Sequence, residues 1–146
     1  MGDAKRPEAP AESAGFLLWR VSNSWQRALR SALQPLGITH AQFVVLATLS
    51  WMGGEASAKQ HEIAGHCGMD PMTTSQVARS LERRDLVRRE PHPDDGRAFS
   101  LTLTQKGKRT VSRAMPAVEA AETDFFGPVV RHQRALTSAL AVLASG

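Results

Sequence analysis

The chain turns a corner at Cys67-Gly68-Met69-Asp70-Pro71, and that turn constrains its fold more than any other stretch. Glycine accepts the left-handed backbone that ends a helix. Two residues later Asp70 can accept hydrogen bonds from the free N–H groups of a new helix, and Pro71 suits its first position. The spacing predicts a short helix over residues 58–67, capped by Ser57, and a second over residues 71–84 with almost no linker between them. On the second helix Thr74, Val77, Ala78 and Leu81 recur at helical steps and form the inward face. Met72, Thr73, Ser75, Gln76, Arg79 and Arg83 lie on or beside the opposite face.

The next residues change period. Residues 86–90 read as a strand, stopped by Pro91 and Pro93, and Asp94-Asp95-Gly96 supplies turn chemistry at a tip running from His92 to Arg97. Residues 98–104 alternate, with Phe99, Leu101 and Leu103 on one side and Ser100 and Thr102 on the other. Two helices across a tight turn, followed by a two-stranded hairpin, make a winged helix-turn-helix.

The flanks are helical. Leu18, Val21, Trp25, Leu29 and Leu33 stripe a first helix over residues 14–33, ended by Pro35 and Gly37. Thr39 caps a second, apolar on nearly all sides and so central, which Gly53-Gly54 stops. Thr104 caps a long fifth helix over residues 105–126, with Pro116 as a kink. After Gly127-Pro128 a last helix carries Val129, Leu136, Leu140 and Leu143. The expected fold is mainly α with a small β-hairpin wing and six helices. Residues 1–13 read as a disordered tail and residues 14–146 as one winged-helix domain. Within it, residues 39–104 form a winged lobe, flanked by helices over 14–36 and 105–146.

Charge is concentrated where the wing and its neighbours lie. From Arg79 to Arg113 there are ten basic and five acidic residues, a net +5 that exceeds the +4 of the whole chain. A basic patch on an otherwise slightly acidic protein suits a polyanion held on one face. A helix of this kind enters the major groove of double-stranded DNA, where each base pair shows its own donor and acceptor pattern. Thr73 and Ser75 bring adaptable hydroxyls, Gln76 can pair with adenine, and Arg79 reaches guanine or phosphate. Met72 and Arg83 complete that candidate face. At the hairpin tip, Arg97 suits a narrow, strongly negative minor groove, and Asp95 positions the wing by pairing with a nearby arginine.

Three stretches resemble the MarR (multiple antibiotic resistance regulator) family of bacterial transcription factors. They are MTTSQVARSLERRDLVRR at residues 72–89, DDGRA at 94–98, and LTLTQKG at 101–107. The second resembles the family's Asp-x-Arg wing motif at Asp95 and Arg97; the third resembles its Leu-Thr-x-x-Gly entry into the next helix. Two positions depart from the pattern. Asp85 stands where the family usually has a glycine after the recognition helix, which strains the helix exit. Gly96 stands where a basic residue is common. The resemblance implies a homodimer built by the first, fifth and sixth helices, and the terminal helices are too apolar to be left exposed. Two recognition helices would then sit ~34 Å apart on a near-palindromic operator. It also implies a repressor that answers to a small aromatic or phenolic effector bound between the dimer helices and the DNA-reading lobe. Trp19, Arg20, His40 and Trp51 are candidates for that pocket, although the three tryptophans, Trp25 included, read first as core.

Other readings are weaker or stay open. Phosphate-cradling loops, nucleophile elbows and metalloprotease helices are missing from the sequence, so no enzyme and no cofactor is expected. His61, His66 and Cys67 cluster on the third helix, but the five-residue step separates the histidines onto different faces, so no metal site is expected. Cys67 is the only cysteine, which excludes an intrachain disulfide. No apolar run approaches the ~18–20 residues of a membrane span, and no secretory signal pattern opens the chain, so the expected location is cytoplasmic. The alternatives are a winged-helix protein-interaction module that does not touch DNA, and a metal- or redox-responsive regulator.

Overall fold

In the computed structural model, which describes residues 13–52 and 57–146, helix α1 spans Ala14–Leu33 and its first turn is closed by the Ser13 side chain accepting the Phe16 N–H. Of the expected tail over residues 1–13, residues 1–12 lie outside the described residues, as does the Gly53-Gly54 helix stop, whereas Ser13 belongs to the start of α1 as its N-cap. A 3-10 turn through Pro35 ends α1, and Gly37 takes the left-handed conformation at φ 69°. Thr39 and Gln42 then form a reciprocal capping box that starts α2 (His40–Trp51). Helix α2 buries Phe43, Val45, Leu46 and Leu49 and lies at the centre, as its all-round hydrophobicity requires.

The third helix begins later than its sequence suggests. Ala58 and Lys59 form a short strand, β1, and α3 runs Gln60–Cys67 with Lys59, not Ser57, at its N-cap. Ala58 pairs with Leu101 and Lys59 with Ser100, so the wing belongs to a three-stranded antiparallel sheet and not to an isolated hairpin. Nothing in the neighbouring residues signals this, because a two-residue strand exists only through its partner.

Gly68 ends α3 at φ 62°, and Asp70 starts α4 (Pro71–Arg83) by accepting the Thr73 N–H at 2.8 Å. Strand β2 (Val87–His92) continues through Pro91, which pairs with Phe99, and a register shift follows at His92. Proline is tolerated here because β2 is an edge strand, where a missing N–H breaks no central ladder. Strand β3 (Asp95–Leu103) is correspondingly longer than the alternating segment, and the tip narrows to Pro93-Asp94. Leu101 and Leu103 are buried in one core with Leu86, Val87, Leu81 and Ile63.

Thr104 caps α5 (Gln105–Phe126), which contains Pro116 without a break in the helix. Gly107, the glycine of the Leu-Thr-x-x-Gly stretch, is required by close approach: a Cβ there would overlap the carbonyl of Leu86. Val129 lies in a 3-10 segment (Gly127–His132) with φ −116° and not in the last helix, which starts at Gln133 and ends at Ala144 as α6. Leu29 and Leu33 of α1 and Val111, Ala114 and Val118 of α5 join the core, so both long helices are rooted in the winged lobe.

Candidate nucleic-acid interface

Helix α4 divides cleanly by burial. Thr74, Ala78 and Leu81 are enclosed and Val77 is partly so, which directs the opposite stripe outward. That stripe, at steps of four, three and four residues, is Met72, Gln76, Arg79 and Arg83, all exposed, with Met72 73 % accessible. Ser75 and Thr73 flank it and are half-buried. Thr73 caps its own helix twice over, because its hydroxyl as well as its N–H donates to the Asp70 carboxylate, the hydroxyl to Oδ2 at 2.6 Å. The single hydroxyl proton is thereby committed to the helix cap, leaving only acceptor capacity toward a base. The two bonds from Thr73 hold the Asp70 carboxyl below its ordinary pKa, the side-chain bond contributing most.

The other end of α4 is tied to the rest of the lobe. Gln42 Nε2 donates to Ser80 Oγ at 3.1 Å, and Arg84 Nη1 donates to the Gly37 carbonyl at the turn between α1 and α2. Lys106 of α5 donates to the Arg84 carbonyl at 3.0 Å, and Thr104 to the Asp85 carbonyl at 2.7 Å. Asp85 itself has φ 59°, the left-handed region that favours glycine, and is the one non-glycine residue there among those described. The departure at this position thus carries backbone strain, held by the hydrogen bonds on either side.

On the wing, Asp95 Oδ1 accepts the backbone N–H of Arg97 at 3.1 Å, and His92 Nδ1 accepts that of Asp94. Asp95 therefore shapes the tip through the main chain two residues on, where an arginine side chain was the expected partner. Arg97 is exposed on β3, just past the tip.

Of the four effector candidates only His40 is partly buried. Trp19 and Trp51 are 66 % and 77 % exposed, and Arg20 is also exposed. Reading the tryptophans as core holds only for Trp25, which packs edge-on against His40 with ring centroids 4.8 Å apart. Partial burial lowers the His40 pKa and favours the neutral ring. Trp25 also lines an apolar cleft of about 380 Å³ with Leu17, Val21, Phe125, Leu136 and Leu140.

Cys67 Sγ is 3.3 Å from Thr48 Oγ1, whose proton already goes to the Val44 carbonyl. Cys67 is therefore the donor of the pair, a satisfied thiol. No group of three or more His, Cys, Asp or Glu side chains able to hold a metal ion occurs among the described residues.

One further cation, counted in the sequence only as part of the basic patch, is held in place by its neighbours. Arg89, on β2, stacks its guanidinium on Phe99 with Cζ 3.6 Å from the ring centroid, and its Nε donates to Gln60 Oε1 at 3.1 Å. Its signal was available: an arginine at an inward position of a strand, in register with the buried Leu101.

Comparison with known proteins agrees with this architecture. The MarR family profile matches residues 38–99. An HTH-type transcriptional regulator of Bacillus subtilis, YdcH, is 35 % identical over 130 residues, covering 88 % of each chain. Among solved structures, the transcriptional repressor CouR bound to a 23-mer DNA duplex is 32 % identical with a TM-score of 0.81, covering 92 % of this chain and 94 % of that one. Bordetella bronchiseptica BpsR, whose DNA binding is regulated by 6-hydroxynicotinic acid, is 25 % identical with a TM-score of 0.87, covering 97 % and 99 %.

Proposed function

The chain belongs to the MarR family of transcriptional regulators, and on that premise we propose that it is a homodimeric repressor that reads a near-palindromic operator and releases it on binding a small aromatic ligand. The observation that carries this reading is the outward stripe of α4. Met72, Gln76, Arg79 and Arg83 face away from a core that needs none of them. Gln76 and Arg79 are the base readers, Ser75 and Met72 flank them, and Thr73 accepts hydrogen bonds while its proton holds the cap. Arg83 steadies the helix on phosphate, and Arg97, aimed by the Asp95 turn, enters the minor groove.

Dimerisation is supported by α6, which has no buried residue, and by the apolar cleft it forms with α1 and α5. A second copy supplies the missing cover. Repression and ligand response are carried over from CouR and BpsR. Trp19, Arg20, His40 and Trp51 remain the pocket candidates, brought together by the dimer. The reading involves no catalytic step. Among the described residues no single helix is long and apolar enough to cross a membrane, and a regulator of DNA acts in the cytoplasm.

The test is a salt titration of binding to the promoter DNA beside its own gene. Arg97→Ala should weaken binding about ten-fold and make the salt dependence shallower by about 0.9 for each protomer's lost contact. Unchanged affinity and slope would remove Arg97 from the interface. A wild-type protein that binds no duplex at any salt would instead favour a protein-interaction module.

A further inference from the structure

Strand β2 carries an arginine where the sheet's alternation asks for an apolar side chain. In register, Val87 faces Leu103, Arg89 faces Leu101 and Pro91 faces Phe99, and such pairs share one side of an antiparallel ladder. Val87, Leu101 and Leu103 are buried, so Arg89 stands on the inner side, one pair beyond Val87 and Leu103. Phe99 supports one face of its guanidinium, and Gln60, at the start of α3, holds its Nε. Neither contact uses the terminal Nη groups, which carry four N–H donors.

The local electrostatics oppose a cation here. Desolvation lowers the Arg89 pKa, the charge of Arg79 lowers it further, and Glu82 offsets part of this. Arginine stays charged regardless. Helix α4 packs on β2, and Arg79 and Glu82 lie three residues apart on that helix. Arg89, held by Phe99 and Gln60, thus stands on the strand between recognition helix and wing tip. An apolar side chain would cover Phe99 without losing hydration and without repelling Arg79. The stack on Phe99 and the bond to Gln60 hold the guanidinium in place, and its charge gains nothing from neighbouring Arg79.

DNA geometry gives that charge a use. With α4 in the major groove and the hairpin tip in the adjacent minor groove, the sugar–phosphate strand dividing the grooves must pass over the seam between them. The geometry points to Arg89, seated on Phe99 and Gln60, as a preformed clamp that acts with Arg79 on a phosphate of that dividing strand. A phosphate there engages the Nη donors and relieves the repulsion between the two guanidiniums. The stacked plane is already oriented, so little side-chain freedom is lost on binding. This inference rests on the DNA-binding reading above, and adds a contact that positions the lobe without reading sequence.

Because a phosphate contact is independent of sequence, the probe is a fluorescein-labelled, mixed-sequence duplex of about three helical turns. Arg89→Met keeps an apolar chain on the aromatic ring and removes the charge. The melting temperature should equal or exceed that of the wild type. Binding should weaken by about ten-fold, and the slope of log K against log salt should become shallower by about 0.9 per protomer. Arg89→Gln, a second neutral variant, should show the same change of slope. A wild-type slope in either variant overturns the clamp. So does an Arg89→Met chain that fails to fold or melts lower with its slope intact, since the guanidinium would then serve the fold. If the wild-type protein itself binds no duplex at low salt, the DNA-binding reading fails; wild-type binding with an unaltered Arg89→Met slope removes the clamp alone.

Discussion

In the winged lobe Leu46, Ile63, Leu81, Leu86 and Leu101 are fully enclosed, whereas α6 encloses nothing and leaves Val142 and Leu143 each 72 % exposed. Both regions are apolar at helical or strand spacing. The lobe closes its core within one chain, using α2 as a central rod and the sheet as a lid, and presents polar side chains outward. The N-terminal half of α1 and all of α6 present Phe16, Leu17, Leu18, Leu140 and Leu143 to solvent instead. Burying one such side chain is worth about 1.5–3 kcal/mol, so a stripe of them left open marks a surface completed by another molecule. The difference separates two roles: one region is finished within the chain, and the other is the face to which the proposed dimer interface is assigned.

That division can be broken from either side. The largest effect is expected in the lobe, where Leu81→Ala empties a fully buried site beneath the recognition helix. It should lower unfolding free energy by about 3 kcal/mol, measured by denaturant titration. A loss below about 1 kcal/mol would mean that α4 is not anchored through this residue. Next comes the other region. Leu143→Glu should raise the dimer dissociation constant by about 100-fold in sedimentation equilibrium while leaving far-UV circular dichroism unchanged. A variant that stays dimeric would place the interface elsewhere, and one that unfolds would deny that the lobe stands by itself. The smallest effect is at the helix exit. Asp85→Gly removes a side chain from a left-handed backbone, a gain partly offset by the greater freedom of glycine when unfolded. A net stabilisation of about 0.5 kcal/mol is expected, and destabilisation would show that Asp85 makes a compensating contact.

Elements set by local chemistry were readable in advance. Gly68, Asp70 and Pro71 act within a few residues of one another, and Thr39 with Gln42, and Thr104 with Gly107, do the same. Their hydrogen bonds are short-range, so the order of the letters specifies them. The outward stripe of α4 was readable for the same reason, since one period of 3.6 residues sorts its faces. Misreadings arose where the partner is distant. Ala58-Lys59 looked helical until Leu101 and Ser100 paired with it, and Pro91 looked like a strand stop until an edge position tolerated it. Trp19 and Trp51 looked like core because hydrophobicity does not say whether the covering surface belongs to the same chain.

What the sequence determined, then, was the turn at residues 67–71, the capped helices around it, and the inward and outward faces of α4, all consequences of backbone chemistry at short separation. Tertiary structure alone decided that the wing is a three-stranded sheet and that Thr73 commits its proton to Asp70. It also decided that Arg89 meets Phe99 and Gln60, ten and twenty-nine residues away in the chain. The physical reason is the same in each case: a side chain's charge and shape are fixed by its identity, but what they act on is fixed only when the chain folds back upon itself.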